Sequence, residues 1–189
     1  RLYSIGKNLD GEMLLSIKRH EFGLCSNYLN DIEVGASLNA VRIKNPEFHL
    51  KKNQKAILIA TGTGIAPFLG MMTDNANKKE RVLYWGAKNE ASFALYENHI
   101  SAALERGVLS KFFPVYSRLG KEKIYVQHVI ASNHLAFSNA LKNGTVLMIC
   151  GSISMQKEVI AALQVICETY QLKSLSYYQQ RGQIKMDCY

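Results

Sequence analysis

The stretch LIATGTGIAPF, residues 58–68, constrains the fold more than any other part of the sequence. It closes an unbroken apolar run, AILIATG (56–62), with the length and branching of a strand buried on both faces. Two glycines separated by one threonine follow, then Pro67 and apolar residues at helical spacing. A proline is well tolerated in the first turn of a helix, where N–H groups lack partners anyway. The expected local structure is therefore strand, tight glycine turn, helix. A strand without polar alternation needs helices on both sides of its sheet.

The rest of the chain repeats the unit. APFLGMMTDNAN (66–77) reads as a helix, RVLYWGAK (81–88) as a strand, and NEASFALYENHISAALERG (89–107) as one helix. Phe93, Tyr96, Ile100, Ala103 and Leu104 share a face of that helix, and Gly107 suits its C-terminus. KFFPVYSR (111–118) is a strand whose Pro114 suits an edge or a bulge. YVQHVIASNHLAFSNALKNG (125–144) is helical with a break near Asn133, and TVLMICGS (145–152) is a strand. SMQKEVIAALQVICETYQL (154–172) is a helix burying Met155, Val159, Leu163, Ile166 and Tyr170. GQIKMDCY (182–189) is the last strand. Strand–helix repeats of this length, joined by right-handed crossovers, give an α/β fold with a doubly wound five-stranded parallel sheet.

Residues 1–50 have a different texture. RLYSIGK, EMLLSIKRHE and ASLNAVRIK read as short strands, with GLCSNYLND as a short helix before the third. Three strands do not make an independent barrel. They are expected to be the closing part of an antiparallel β domain that begins upstream. The boundary falls near Asn45–Lys55, where Pro46 and lysines mark a linker, giving units of 1–50 and 51–189.

The formal charge of +8 over 189 residues points to an anionic partner. Clusters such as Lys51, Lys52, Lys55 and Lys121, Lys123 are too sparse, and lack interleaved aromatics, for a nucleic-acid stripe. A phosphorylated cofactor and an acidic protein both fit the charge. Cys25, Cys150, Cys167 and Cys188 form no CxxC pair, and the five histidines show no metal spacing, so no metal is expected. Without a leader peptide or a membrane-length apolar run, reduced thiols in a cytoplasmic setting are expected.

Ligands of such sheets lie beyond the carboxyl ends of the strands. Thr61, Gly62, Thr63, Gly64 and Pro67 there suit a diphosphate: bare main chain, free N–H groups and the positive end of a helix dipole. A ligand-free bend accounts for these glycines equally well. The stretch is neither a Walker loop nor the GxGxxG fingerprint, since Phe68 stands near the place of the last glycine. Ser117, Arg118, Lys123, Tyr125 and Gln127, after the third strand, combine a hydroxyl, two cations and a stacking ring, which suits a phosphorylated adenosine. A solvated basic loop is the alternative. Trp85 is expected to pack near this groove rather than take part in chemistry.

Taken in order, RLYS (1–4), GLCS (23–26), TGTGIAPF (61–68), SRLGKEKIYVQ (117–127), CGSISM (150–155) and MDCY (186–189) resemble the motifs of the ferredoxin–NADP reductase superfamily, diflavin-reductase type. The resemblance covers nearly the whole chain. It implies a flavoprotein reductase that moves hydride from NADPH to FAD and passes electrons to a protein acceptor. Sulfite reductase hemoprotein, a flavodoxin or ferredoxin, and a haem enzyme all suit that role.

The resemblance also assigns roles. Arg1, Tyr3, Ser4, Gly23, Cys25 and Ser26 would hold the flavin, with Tyr3 stacked on its ring and Ser4 bonded near the reactive nitrogen. The 61–67 turn would take the NADP diphosphate. Ser117, Arg118, Lys123, Tyr125 and Gln127 would take the 2′-phosphate and adenine. Cys150, Gly151 and Met155 would lie beside the nicotinamide, with Ser4, Cys150 and Asp187 orienting it. Tyr189 would cover the other flavin face as a removable lid. Ser152 stands where many diflavin relatives carry an acid. The alternatives are a non-catalytic nucleotide-binding regulatory module, disfavoured by Tyr3 and Tyr189, and an NADH-dependent flavin reductase, disfavoured by the Ser-Arg…Lys-x-Tyr spacing.

Overall fold

The structure, a computed structural model, describes residues 1–51, 53–73 and 79–189. Its centre is a five-stranded parallel sheet made of β3 (Ala56–Thr61), β4 (Arg81–Ala87), β5 (Lys111–Tyr116), β6 (Val146–Gly151) and β7 (Ile184–Cys188), in the order β5-β4-β3-β6-β7. β1 (Ile5–Lys7) and β2 (Met13–Leu15) form a separate antiparallel pair. The helices are α1 (Leu24–Asp31), α2 (Ala66–Thr73), α3 (Glu97–Glu105), α4 (Val126–Ser132), α5 (His134–Lys142), α6 (Ile153–Thr169) and α7 (Leu175–Gln180). Among the described residues no helix is long and apolar enough to cross a membrane.

The double winding follows from side-chain alternation along β3. Ala56, Leu58 and Ala60 face a core shared with Phe68, Leu69, Ile100 and Ala103 of α2 and α3. Ile57 and Ile59 face the opposite core, with Val126, Ile130, Phe137, Val159 and Leu163 of α4, α5 and α6. β3 is central, so its side chains are buried on both faces, as its uninterrupted apolar run requires. Pro114 lies opposite Trp85 on β5, an edge strand, where a missing N–H costs least.

Several sequence expectations are corrected. ASLNAVRIK (36–44) forms no strand: among the described residues it has no strand to pair with, and Leu38, Val41 and Ile43 are 47%, 89% and 68% exposed. The two strands before it shrink to three residues each. The single helix expected over 89–107 is a 3₁₀ turn, Glu90–Ser92, followed by α3. Three-residue spacing brings both Phe93 and Tyr96 against Trp85, 6.2 and 5.4 Å away between ring centroids. Leu104, placed in the buried stripe, is 39% exposed. α7 was not foreseen; it is a short helix capped by Ser174, whose Oγ accepts from the Tyr177 N–H. The part of the first expected helix at 74–77 lies outside the described residues, as does Lys52.

The chain runs β3→β4→β5 to one side of the sheet and then returns to β6 and β7 on the other. The reversal lies between β3 and β6, and the carboxyl ends of those strands flank the crevice where such sheets take ligands.

Candidate functional site

A groove of about 1060 Å³ crosses the carboxyl ends of β3, β4, β5 and β6. That is roughly the upper end of ordinary small-molecule sites, about 300–1,000 Å³, and suits an extended ligand better than a compact one. Thr61, Gly62 and Thr63 form its middle, Ser117, Tyr125 and Gln127 lie toward the β5 end, and Ser152 and Met155 toward the β6 end.

The glycine turn is built for close approach. It is a 3₁₀ turn, Gly62–Ile65, leading straight into α2. Gly62 has φ +52°, and the space beside it is open. At Gly64 the constraint comes from inside: a Cβ there would stand 2.4 Å from the Cys150 carbonyl oxygen. The turn thus rests directly on the end of β6, while its outer side stays bare. Helix-start N–H groups, a dipole and exposed main chain are features that suit an anion.

At the β6 end, residues from opposite parts of the sequence meet. Ser4 Oγ donates to Asp187 Oδ2 at 2.9 Å, and Asn45 Nδ2 donates to the other carboxylate oxygen at 3.3 Å. Asp187 lies in register beside Cys150. The Cys150 thiol is fully buried and its pKa is pushed up to about 12, first by burial and then by the charges of Asp187 and Cys188; a Ser4 hydrogen bond opposes the shift. It is a neutral thiol at any physiological pH. Tyr189 extends over the turn: its N–H donates to the Gly151 carbonyl at 3.0 Å, and its hydroxyl lies 3.4 Å from Thr63 Oγ1. Burial also raises the Tyr189 hydroxyl pKa. Ser4, Cys150, Asp187 and Tyr189, singled out from sequence, therefore share one corner of the molecule.

Other predicted positions are more dispersed. Ser117 is bent toward the sheet, its N–H and Oγ both donating to the Ala87 carbonyl at 2.9 and 3.2 Å. Tyr125 is 41% exposed, and its ring lies 5.6 Å from that of His128. Arg118 and Lys123 are exposed on the loop between these two and do not line the groove. Ser152 caps α6, accepting from the Met155 N–H at 3.2 Å. Arg1 and Cys25 are exposed and Tyr3 is half-buried. Ser26 is buried and bonded inside its own segment, donating to the Gly23 carbonyl and accepting from the His20 N–H.

Sequence reasoning missed part of the wall. Leu14 to Lys18 line the groove opposite the sheet, with Lys88, Tyr96, Ser154 and Glu158 at other points. Asn45 was read as linker, yet it holds Asp187. No local pattern marks these residues, because they reach the site through tertiary packing. Trp85 is fully buried, as expected, but its indole Nε1–H also donates to the Gly62 carbonyl at 3.0 Å. A tryptophan near a strand's carboxyl end, one strand from the glycine turn, was the available signal. Among the described residues no group of three or more histidine, cysteine or acidic side chains could hold a metal ion.

The oxidoreductase NAD-binding domain family matches residues 58–160, from β3 to α6. The sulfite reductase [NADPH] flavoprotein alpha-component of Shewanella oneidensis is 32% identical over 183 residues, covering 88% of this chain and 30% of the relative. That of Vibrio parahaemolyticus is 29% identical over 186 residues, covering 89% and 30%. The NADPH–cytochrome P450 reductase of Salmo trutta is 30% identical over 137 residues, covering 67% and 23%. The chain thus spans less than a third of the length of these relatives.

Proposed function

This chain belongs to the ferredoxin–NADP reductase superfamily, with an oxidoreductase NAD-binding domain, and we propose from that premise that it is the NADPH-binding and hydride-transfer part of a diflavin-type reductase. The observation that carries the reading is the meeting of Ser4, Cys150 and Asp187 beside a glycine turn whose Thr63 the Tyr189 hydroxyl reaches. In this reading residues 51–189 bind the dinucleotide, and residues 1–50 belong to a flavin-binding β domain.

The residues present fit such cofactors. The bare Gly62 turn takes the diphosphate, and Ser117, Arg118, Lys123 and Tyr125 take the adenosine 2′-phosphate. Arg1, Tyr3 and the Gly23–Ser26 segment contribute to the flavin. When bound, a reduced nicotinamide supplies a hydride and FAD accepts it.

The chain's own groups orient and cover. Asp187 is fixed by two donors, Ser4 and Asn45, so its charge is held at one place beside the ring site. Cys150 offers a neutral, polarisable thiol that neither repels a hydride nor attacks the ring. Tyr189 would cover the other face of the flavin. It is held by one main-chain bond and one long hydroxyl contact, so it can be displaced.

The electrons then pass to a protein acceptor, for which sulfite reductase hemoprotein, a flavodoxin or ferredoxin, and a haem enzyme are the candidate classes. A cytoplasmic location accords with reduced thiols. The test is anaerobic mixing of the flavin-loaded intact protein with NADPH, or with NADPH deuterated at C4. Bleaching of the flavin with a primary isotope effect is expected. A flavin unchanged by NADPH overturns the assignment and favours a non-catalytic nucleotide module.

A further inference from the structure

We propose that Trp85 is a positioning residue for the diphosphate turn, and that Ser16 and Tyr96 hold it in place. The inference rests on the dinucleotide reading of the groove and adds how the receptor is kept in shape.

The Gly62 carbonyl accepts from Trp85 Nε1 at 3.0 Å. In a planar trans peptide the carbonyl and the next N–H point in opposite directions. Tying the Gly62 oxygen to a buried indole therefore turns the Thr63 N–H away from the indole, outward from the core. Gly62 has φ +52° and no atom within 4 Å of where a Cβ would stand, so side-chain packing does not fix this peptide. The indole N–H adds a partner to this carbonyl beyond the 3₁₀ turn's own i→i+3 pattern and narrows the orientations among which a ligand would have to select.

The indole itself cannot rotate. Tyr96 meets it edge-on at 5.4 Å and 81°, and Phe112 stacks at 6.5 Å and 26° from the other element. Phe93 adds a third ring at 6.2 Å. Tyr96 is in turn fixed at its hydroxyl, which is hydrogen-bonded to Ser16 Oγ. Ser16 belongs to the segment after β2, outside the parallel sheet. Ser16, Tyr96, Trp85 and Gly62 thus form a continuous path of two hydrogen bonds and one ring contact. It links the β1–β2 segment to the diphosphate turn. Ser16, Tyr96, Trp85 and Gly62 all line the same groove, so the path borders the ligand along its length.

The expected consequence is selective. Trp85→Phe keeps an aromatic ring among its neighbours but removes the N–H donor together with the indole's five-membered ring, so the ligand lacking a diphosphate serves as the control for lost packing. In the intact, flavin-loaded protein the variant should weaken NADP⁺ binding by about 3-fold to 10-fold, the span of one hydrogen bond. Binding of 2′-AMP, which carries the 2′-phosphate and adenine but no diphosphate, should be unchanged. Tyr96→Phe and Ser16→Ala should each give a smaller loss of the same selective kind. The Ser16→Ala/Tyr96→Phe double variant should lose no more than either alone, because both remove the same bond.

Titration calorimetry with the two ligands decides the matter. Equal losses for NADP⁺ and 2′-AMP would mean a general packing defect and overturn the proposal, as would no loss for either. Wild-type protein that binds neither ligand would instead refute the dinucleotide reading itself. The far-UV spectrum and melting temperature of each variant identify one that has failed to fold. For Trp85→Phe in that event, the Tyr96→Phe variant, whose ring remains, carries the test.

Discussion

Ser4 and Asp187 lie 183 positions apart in sequence, yet the serine hydroxyl donates to the carboxylate at 2.9 Å beside the buried Cys150 thiol. That bond fixes where negative charge sits relative to the end of β6. Asp187→Asn keeps the shape and removes the charge. Ser4→Ala leaves Asn45 as the remaining donor to Asp187. Both variants should slow flavin reduction by NADPH by roughly 10-fold to 100-fold, as expected for a misplaced reacting pair. Dinucleotide affinity should change little. Single-turnover mixing separates the two effects, and a loss confined to affinity would contradict the orienting role.

Gly64→Ala tests the close approach of the turn to β6. The new methyl carbon would stand 2.4 Å from the Cys150 carbonyl oxygen, and that backbone belongs to a central strand. Overpacking of this kind costs about 1–3 kcal/mol. A urea midpoint shifted down at unchanged m-value is the expected result. Gly62→Ala removes a residue with positive φ from open space, so strain and not collision should set its smaller cost.

How much of this could be read from the sequence differs by element. β3 and its turn were legible because burial on both faces leaves no polar residue to blur the pattern. The break at Asn133 followed from an asparagine between two helical runs, and the proline in β5 left an edge or a bulge open, of which the structure shows the edge. The third strand expected over 36–44 was not formed, since alternation states a preference for a sheet without supplying a neighbour. The groove wall of Leu14 to Lys18, the Asn45 donor and the Tyr96 hydroxyl bond were invisible for a related reason. Each depends on which segment lies across from it, and no window of a dozen residues carries that information.

Arg118→Ala addresses cofactor choice. Arg118 is exposed on the loop after β5, outside the lining of the groove. A charge-assisted bond to phosphate contributes about 1.5–3 kcal/mol. The variant should therefore weaken NADPH by roughly 10-fold to 100-fold and NADH hardly at all. Equal losses for both would remove Arg118 from the 2′-phosphate site.

Cys150 gives a pH prediction. Its ordinary thiol value of 9.0 is raised to about 12 in the fold, so the folded state keeps its proton where the unfolded chain loses it. Between these values the unfolded state binds fewer protons, and stability falls as pH rises. The contribution is intact below about pH 9 and declines toward about pH 12. Tyr84, Tyr96 and Tyr178, all raised by burial, act in the same direction. Denaturant melts across this range should show the decline, and Cys150→Ser should reduce its slope. At pH 8 iodoacetamide should label the exposed Cys25 long before Cys150, read by peptide mass mapping.

Among the described residues β7 pairs with β6 alone and stands at the rim of the sheet, with Asp187 and Cys188 on it and Tyr189 just beyond. Rim strands are among the first to fray, through excursions far smaller than global unfolding. One such excursion would carry off the acid and the aromatic cover together, while the glycine turn on central β3 kept its grip. Gentle warming should then yield a molecule that still retains coenzyme but no longer turns over. Amide exchange would record it as rapid deuterium uptake at 184–189 beside a protected 56–61.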